Sequence, residues 1–237
     1  MMGPERDDVV ISYYRVRQAL GVLGLILPFL LILGGVLTLG GVEPSISDYY
    51  HTMLRDILVG VLCAIGIFLI AYPGHLRDSG EVLSDDRITT AAGPAAIGVA
   101  FFPNEGRVQA ATVESPMQLL LGHQYTAIGH YSFAVIFFLF LATMCLRKFA
   151  RTSNPQRRRV YRVCGWTILV MTVCVIVASW FKIRGPEGPQ SFVNDWLLVL
   201  WFEAVAIWAF AIAWLTKGRA DMALADLLAA ARGPDGP

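Results

Sequence analysis

The chain has 237 residues, of which 56% are hydrophobic and only 16% charged, and its formal net charge is +1. A soluble domain usually carries about 25% charged residues; here the shortfall is concentrated in long apolar runs, which argues against a soluble enzyme and for membrane spans. The near-neutral balance gives no electrostatic case for a nucleic-acid partner, and membrane lipids are the expected surroundings. Cys63, Cys145, Cys164 and Cys174 all sit inside apolar runs without a C-x-x-C pair, so they read as small buried hydrophobes.

In chain order, the polar start Met1 to Arg6 precedes a first apolar run, Ala19 to Leu39, flanked by Arg15 and Arg17 and closed by Gly40-Gly41. It is too long for a signal-peptide core and lacks a small-x-small cleavage site, so a retained span is expected. A second span is expected over Met53 to Tyr72 and a third over Ile88 to Phe102. The third is short and rich in Ala and Gly, which suits close helix packing inside a bundle. Further spans are expected over Ile128 to Leu146, Val163 to Phe181 and Phe192 to Leu215. The fold class is therefore an all-α membrane bundle of six transmembrane helices over residues 1–218, with a short amphipathic tail over 219–237.

Lys and Arg set the expected orientation. Fifteen of the 19 basic residues fall before span one, between spans two and three, between four and five, or after six. The other loops hold Arg55, Arg107, Lys182 and Arg184. By the positive-inside rule both termini are expected in the cytoplasm. The third span is needed for this, because without it the Arg147 to Arg162 loop and the N-terminus would lie on opposite sides.

The polar stretch Ser45-Ile46-Ser47-Asp48-Tyr49-Tyr50-His51, followed by Arg55-Asp56, runs straight into the second span. Ionisable groups entering a bilayer are costly unless paired or hydrated. On the expected topology His51, His123 and His130 share the outer face, with only His75 opposite. If the segment before span two is helical, Ser47, His51 and Arg55 fall on one face, and Asp48, Thr52 and Asp56 on the next. Ligand-binding candidates are Ser47, Tyr50, His51, Arg55, Asp56, His130 and Glu203. Glu203 lies about eleven residues into the sixth run, roughly 16 Å deep at 1.5 Å per residue. A carboxylate there should be neutral or bonded to another helix. No cofactor is expected. Three histidines and a carboxylate could hold zinc through His51, Asp56, His123 and His130, although no tight H-x-x-x-H pair is present. No Walker loop, dinucleotide fingerprint or nucleophile elbow occurs, so Ser47 has no recognisable serine-hydrolase setting.

Three functions fit these residues. One is a non-enzymatic protein that binds or moves a small molecule, lipid or proton through an outer-face polar site. Another is a metal-dependent hydrolase of a lipid amide or ester. The last is a structural or partner-binding membrane protein.

The pattern Ser45-Ile46-Ser47 with Tyr49-Tyr50, Arg55-Asp56 and Val59-Gly60 continues through Ala92-Gly93, Ala100-Phe101-Phe102-Pro103 and His130-Tyr131. Tyr161-Arg162, Cys164-Gly165, Glu203 and Trp214-Leu215-Thr216-Lys217-Gly218 complete it. This resembles a family of bacterial six-span membrane proteins of unknown function, which implies a shared fold and a bacterial inner-membrane location. Ser47 and His51 also resemble the S-x-x-x-H element of the alkaline ceramidase and adiponectin receptor superfamily, seven-span zinc amidohydrolases. Asp56 could stand for that superfamily's aspartate. Its late histidine pair and its seventh span have no counterpart here.

Overall fold

A computed structural model describes residues 4–72, 74, 84–105 and 114–220, with side chains from residue 14 onward. His75, Arg107 and the tail over 221–237 lie outside these. The described residues form helices and no strand. The helices are α1 (Pro4–Thr38), α2 (Arg55–Ile70), α3 (Asp85–Phe101), α4 (Pro116–Leu121), α5 (His123–Thr143), α6 (Pro155–Arg184), α7 (Glu187–Asp195) and α8 (Leu198–Lys217). A 3-10 turn covers Ser47–His51, and a π-helical stretch, Met144–Phe149, prolongs α5.

Among the described residues four segments are long and apolar enough to cross a membrane: Tyr14–Thr38, His123–Phe149, Pro155–Arg184 and Leu198–Lys217. The protein is thus membrane-integrated. Phe29, Leu33, Leu37, Val163, Trp166, Val173 and Trp180 are exposed along α1 and α6, as a lipid-facing surface requires. α2 has 16 residues and α3 has 17. At 1.5 Å per residue they span about 24 and 26 Å, a little under the hydrocarbon thickness of roughly 30 Å.

The six longer helices close a ring in the order α1, α2, α3, α5, α6, α8, each packed on the next and α8 back on α1. The α2–α3 contact is backbone on backbone. A Cβ added at Gly66 would lie 2.8 Å from the Gly93 carbonyl oxygen, and one at Gly93 would lie 2.5 Å from that of Gly66. The Ala/Gly richness of the third run thus serves close packing, as its composition suggests. Across the ring α5 and α8 barely touch, and α5 packs on α6 less extensively than on α3.

The sixth run is not one helix. It breaks at Trp196-Leu197, where Leu197 takes the left-handed conformation at φ 50°, and α7 precedes the break. Starting α8 at Leu198 leaves its first amide hydrogens without intrahelical acceptors. The Leu200 N–H, one of these, donates to the Pro44 carbonyl at 3.0 Å and ties the α1–α2 connection to α8. Glu203 is therefore the sixth residue of α8, about 8 Å along it rather than 16 Å. The depth expected for Glu203 is corrected accordingly.

Candidate functional site

The α1–α2 connection carries the site. Its Tyr49 ring packs against Gly35 of α1, where an added Cβ would come 2.7 Å from the phenol oxygen. Burial pushes the Tyr49 phenol above its ordinary pKa, so it stays neutral in this contact. Anchored this way, and by the Pro44–Leu200 bond, the segment lays its polar groups against α8, α5 and α6.

Two linked sets of hydrogen bonds result. In the first, the Ile46 N–H donates to Glu203 Oε2 at 2.6 Å, and Ser47 Oγ lies 3.2 Å from Glu203 Oε1. Ser47 Oγ also lies 2.9 Å from His130 Nε2, and His130 Nδ1 lies 2.6 Å from the Phe102 carbonyl oxygen. In the second, Lys182 forms a salt bridge to Asp48 Oδ2, and Asn104 Nδ2 donates to Asp48 Oδ1 at 2.7 Å. His51 Nε2 faces both the Asn104 side-chain oxygen at 3.0 Å and its carbonyl at 3.2 Å. Both are acceptors, so this nitrogen carries the hydrogen. Ser45 Oγ joins the set, accepting from the Asp48 N–H at 3.0 Å. Ser45, Asp48, Asn104, His130 and Glu203 are all buried. Every one of them is paired, as burial demands.

Except for Asp48 and His51, these side chains border a cavity of about 300 Å³ between α5 and α6. One wall is polar: Ser47, Asn104, His130, Lys182 and Glu203. The rest of the lining is largely apolar in surface, with Ile128, Val135, Phe138, Val175, Ile176 and Trp180, but Thr172, Ser179 and Arg184 of α6 also border it. Ile128, Ile176 and Trp180 are exposed, so the cavity has exposed apolar residues at its lateral border. On the far side of Ser47, His130 and Glu203 lies a smaller void of about 50 Å³, lined mainly by apolar groups including Leu27, Leu62, Ile65 and Phe210.

Of the residues singled out from sequence, Ser47, His130 and Glu203 meet directly, and His51 joins through Asn104. Tyr50 is buried and borders the small void. The two helical stripes expected before α2 do not form, because Ser47–His51 is a 3-10 turn and α2 begins only at Arg55. Arg55 turns back instead, its Nε donating to the Tyr50 carbonyl at 2.6 Å and its guanidinium lying 4.5 Å from the Tyr50 ring centre. Asp56 is exposed on the first turn of α2, where the helix dipole favours it. His123 opens α5 and pairs with Glu114 at 3.0 Å on the surface. Among the described residues no three of His, Cys, Asp and Glu converge as a metal-holding group. Asn104 and Lys182 were the unforeseen members. Lys182 had a readable signal, as a cation ending a long apolar helix on the side otherwise poor in basic residues.

No family model, curated protein or solved structure matches this chain.

Proposed function

We propose that this is a six-span membrane protein with both termini in the cytoplasm, and that its α5–α6 cavity opens at the outer face and binds a small amphipathic molecule of the lipid class. One observation carries the reading: a cavity of about 300 Å³ where the paired groups Ser47, Asn104, His130, Lys182 and Glu203 face a largely apolar lining, with exposed apolar residues at its border. Pockets of this size suit one small ligand, with apolar lining for affinity and a few placed polar groups for orientation. A lipid can reach such a slot sideways without leaving the membrane. The side assignment rests on the basic residues, since Arg17, Arg147, Lys148, Arg157 and Lys217 gather at the opposite end of the bundle from Ser47.

The test is native mass spectrometry of the purified protein after mild detergent extraction. A retained lipid is expected, and Ala134→Trp, which fills the slot, should release it while the protein still melts cooperatively. A wild-type protein that keeps no lipid and binds none added back would sink the reading. For orientation, a single cysteine at Gly188 should react with an impermeant reagent applied outside, and one at Arg157 should not. The reverse pattern would move the cavity to the cytoplasmic leaflet.

A further inference from the structure

We propose that Ser47 is a nucleophile, with His130 as its general base, that accepts the acyl group of a fatty ester held in the α5–α6 slot. The proposal rests on the lipid-binding reading above and adds a reaction to it.

His130 Nδ1 faces the Phe102 carbonyl oxygen at 2.6 Å, and a carbonyl can only accept, so Nδ1 carries a hydrogen. In the neutral ring Nε2 is then a bare lone pair, and it points at Ser47 Oγ from 2.9 Å. A hydroxyl within hydrogen-bond reach of an imidazole, whose other nitrogen is fixed by a third group, is the arrangement that activates a serine. Here a backbone carbonyl takes the orienting place that a carboxylate fills elsewhere.

Glu203 sits on the other side of the hydroxyl. Its Oε2 is taken by the Ile46 N–H, and its Oε1 lies 3.2 Å from Ser47 Oγ. Ser47 has one hydrogen to give, and both Glu203 Oε1 and His130 Nε2 are within its reach. With the carboxyl group protonated on Oε1, Glu203 donates to Ser47 Oγ and the Ser47 hydrogen goes to His130 Nε2. Glu203 thus holds the serine oxygen in place and leaves its proton directed at the base, which makes it a positioning residue.

Access completes the geometry. Ser47, His130 and Glu203 all line the slot, whose apolar walls accept an acyl chain. In the first half-reaction Ser47 Oγ bonds to the ester carbonyl carbon as its proton passes to His130 Nε2. The carbon–oxygen bond to the alcohol then breaks, and the alcohol leaves with that proton. In the second half, water attacks the acyl-serine and gives a proton to Nε2. That proton returns to Ser47 Oγ as the fatty acid departs, so the sum is ester plus water giving acid plus alcohol.

The experiment exposes the purified wild-type protein to a long-chain alkyl fluorophosphonate and locates any adduct by intact and peptide mass. One adduct, on Ser47, is expected. A general base contributes about 10²–10⁴-fold, so His130→Gln should label at least about 100-fold more slowly. His123→Ala should label like wild type. Glu203→Leu should slow labelling, and Glu203→Gln should slow it less. An ethyl analogue should react more slowly than the long-chain reagent. Absence of an adduct on wild type overturns the proposal, as does an adduct on another serine or a folded His130→Gln that labels at the wild-type rate. Lipid retained by a wild-type protein that does not label removes the nucleophile and leaves the binding site standing. A protein that neither retains lipid nor labels removes both.

Discussion

The two ends of the bundle solve the same problem differently. Each buries charged side chains, which is costly unless every one is paired. At the basic end the Arg17 guanidinium donates to the Tyr72 hydroxyl at 3.0 and 2.7 Å. There Lys217 Nζ donates to Thr152 at 2.9 Å, and Lys148 lies 3.5 Å from Asp85. Around them Tyr72, Phe149, Tyr161 and Trp214 fill the space, each almost fully buried. At the Ser47 end the pairing is as complete, but it borders a cavity of about 300 Å³. Between the two lie apolar side chains such as Leu62, Ile65, Phe137 and Leu141. Open volume is present at the basic end too, as a groove of about 550 Å³ bordered by the half-buried Arg157 and the exposed Asn154 and Gln156. What sets the Ser47 end apart is that buried, paired groups, Asn104, His130 and Glu203, themselves line the volume.

The comparison breaks most sharply at Trp214. Its indole is boxed by Tyr72 at 5.0 Å and Phe149 at 5.2 Å, both edge-to-face, with Phe210 at 6.1 Å. Replacing a fully buried Trp by Ala costs about 3–5 kcal/mol, so Trp214→Ala should show the largest drop in melting temperature in detergent. Its Nε1–H has no hydrogen-bond partner among the described residues. Trp214→Phe removes a donor with no bond there, so it should cost far less. If Ala and Phe are equally damaging, the basic end is held by something other than this aromatic packing. Neither change should affect lipid retention if that end is purely structural.

Lys182→Ala comes next. It leaves Asp48, whose side chain is 6% exposed, with Asn104 as its remaining side-chain partner. Breaking a buried pair by removing one partner costs about 3–5 kcal/mol. Lys182 borders the slot, and water entering there should keep the loss near the lower bound. Adding Asp48→Asn should recover much of it, because no buried charge is then left alone. A double variant no more stable than Lys182→Ala would mean that the ion pair is not what holds α6 to the α1–α2 connection.

How far the sequence showed this end is instructive. The six expected runs are helical, the last of them broken at Trp196-Leu197, and among the described residues four segments are long and apolar enough to cross a membrane, because length and apolar composition are legible in sequence. The meeting of His130 with Ser47 across 83 positions could not be read, since only packing brings α5 to the α1–α2 connection. The break before α8 was hidden because Trp196 and Leu197 are as apolar as their neighbours, and a left-handed Leu has no compositional signature. The helical stripe before α2 failed for a related reason. Side-chain spacing predicts shared faces only when the backbone is α-helical, and here it is a 3-10 turn.

Glu203 separates packing from bonding on a smaller scale. Glu203→Gln keeps an acceptor for the Ile46 N–H and a donor for Ser47, so the melting temperature should change little. Glu203→Leu leaves the buried Ile46 amide without a partner, a loss of about 1–3 kcal/mol. The same variants, read by infrared spectroscopy, report the carboxyl group. Burial of Glu203 disfavours its charged form, so a protonated carboxyl band at neutral pH, absent from both variants, is expected; a carboxylate instead would draw the Ser47 hydrogen away from His130. A Leu variant as stable as wild type would show that the Ile46 N–H finds another acceptor, and with it the role of Glu203 as an anchor would go.

The smallest effects should come from the polar residues that the fold leaves outside the cluster. The His123 and Glu114 side chains are 63% and 48% exposed. Such surface pairs are worth about 0–1 kcal/mol. Asp56 gains about 0.3–1 kcal/mol from the dipole of α2 and is otherwise in solvent. His123→Ala and Asp56→Asn should therefore each melt within about 1 kcal/mol of wild type and retain lipid as wild type does. The same pair tests the metal hypothesis, because both residues belong to the ligand set that sequence offered for zinc. His51 donates to Asn104, and His130 is committed at both nitrogens to Phe102 and Ser47. Holding zinc would require these bonds to be given up and His123 to leave Glu114. Substoichiometric zinc is expected by elemental analysis of the purified protein, unchanged in His123→Ala. Stoichiometric zinc, lost in both His51→Ala and His130→Ala, would mean that the cluster rearranges around a metal, and His130 would no longer be available as a base for Ser47.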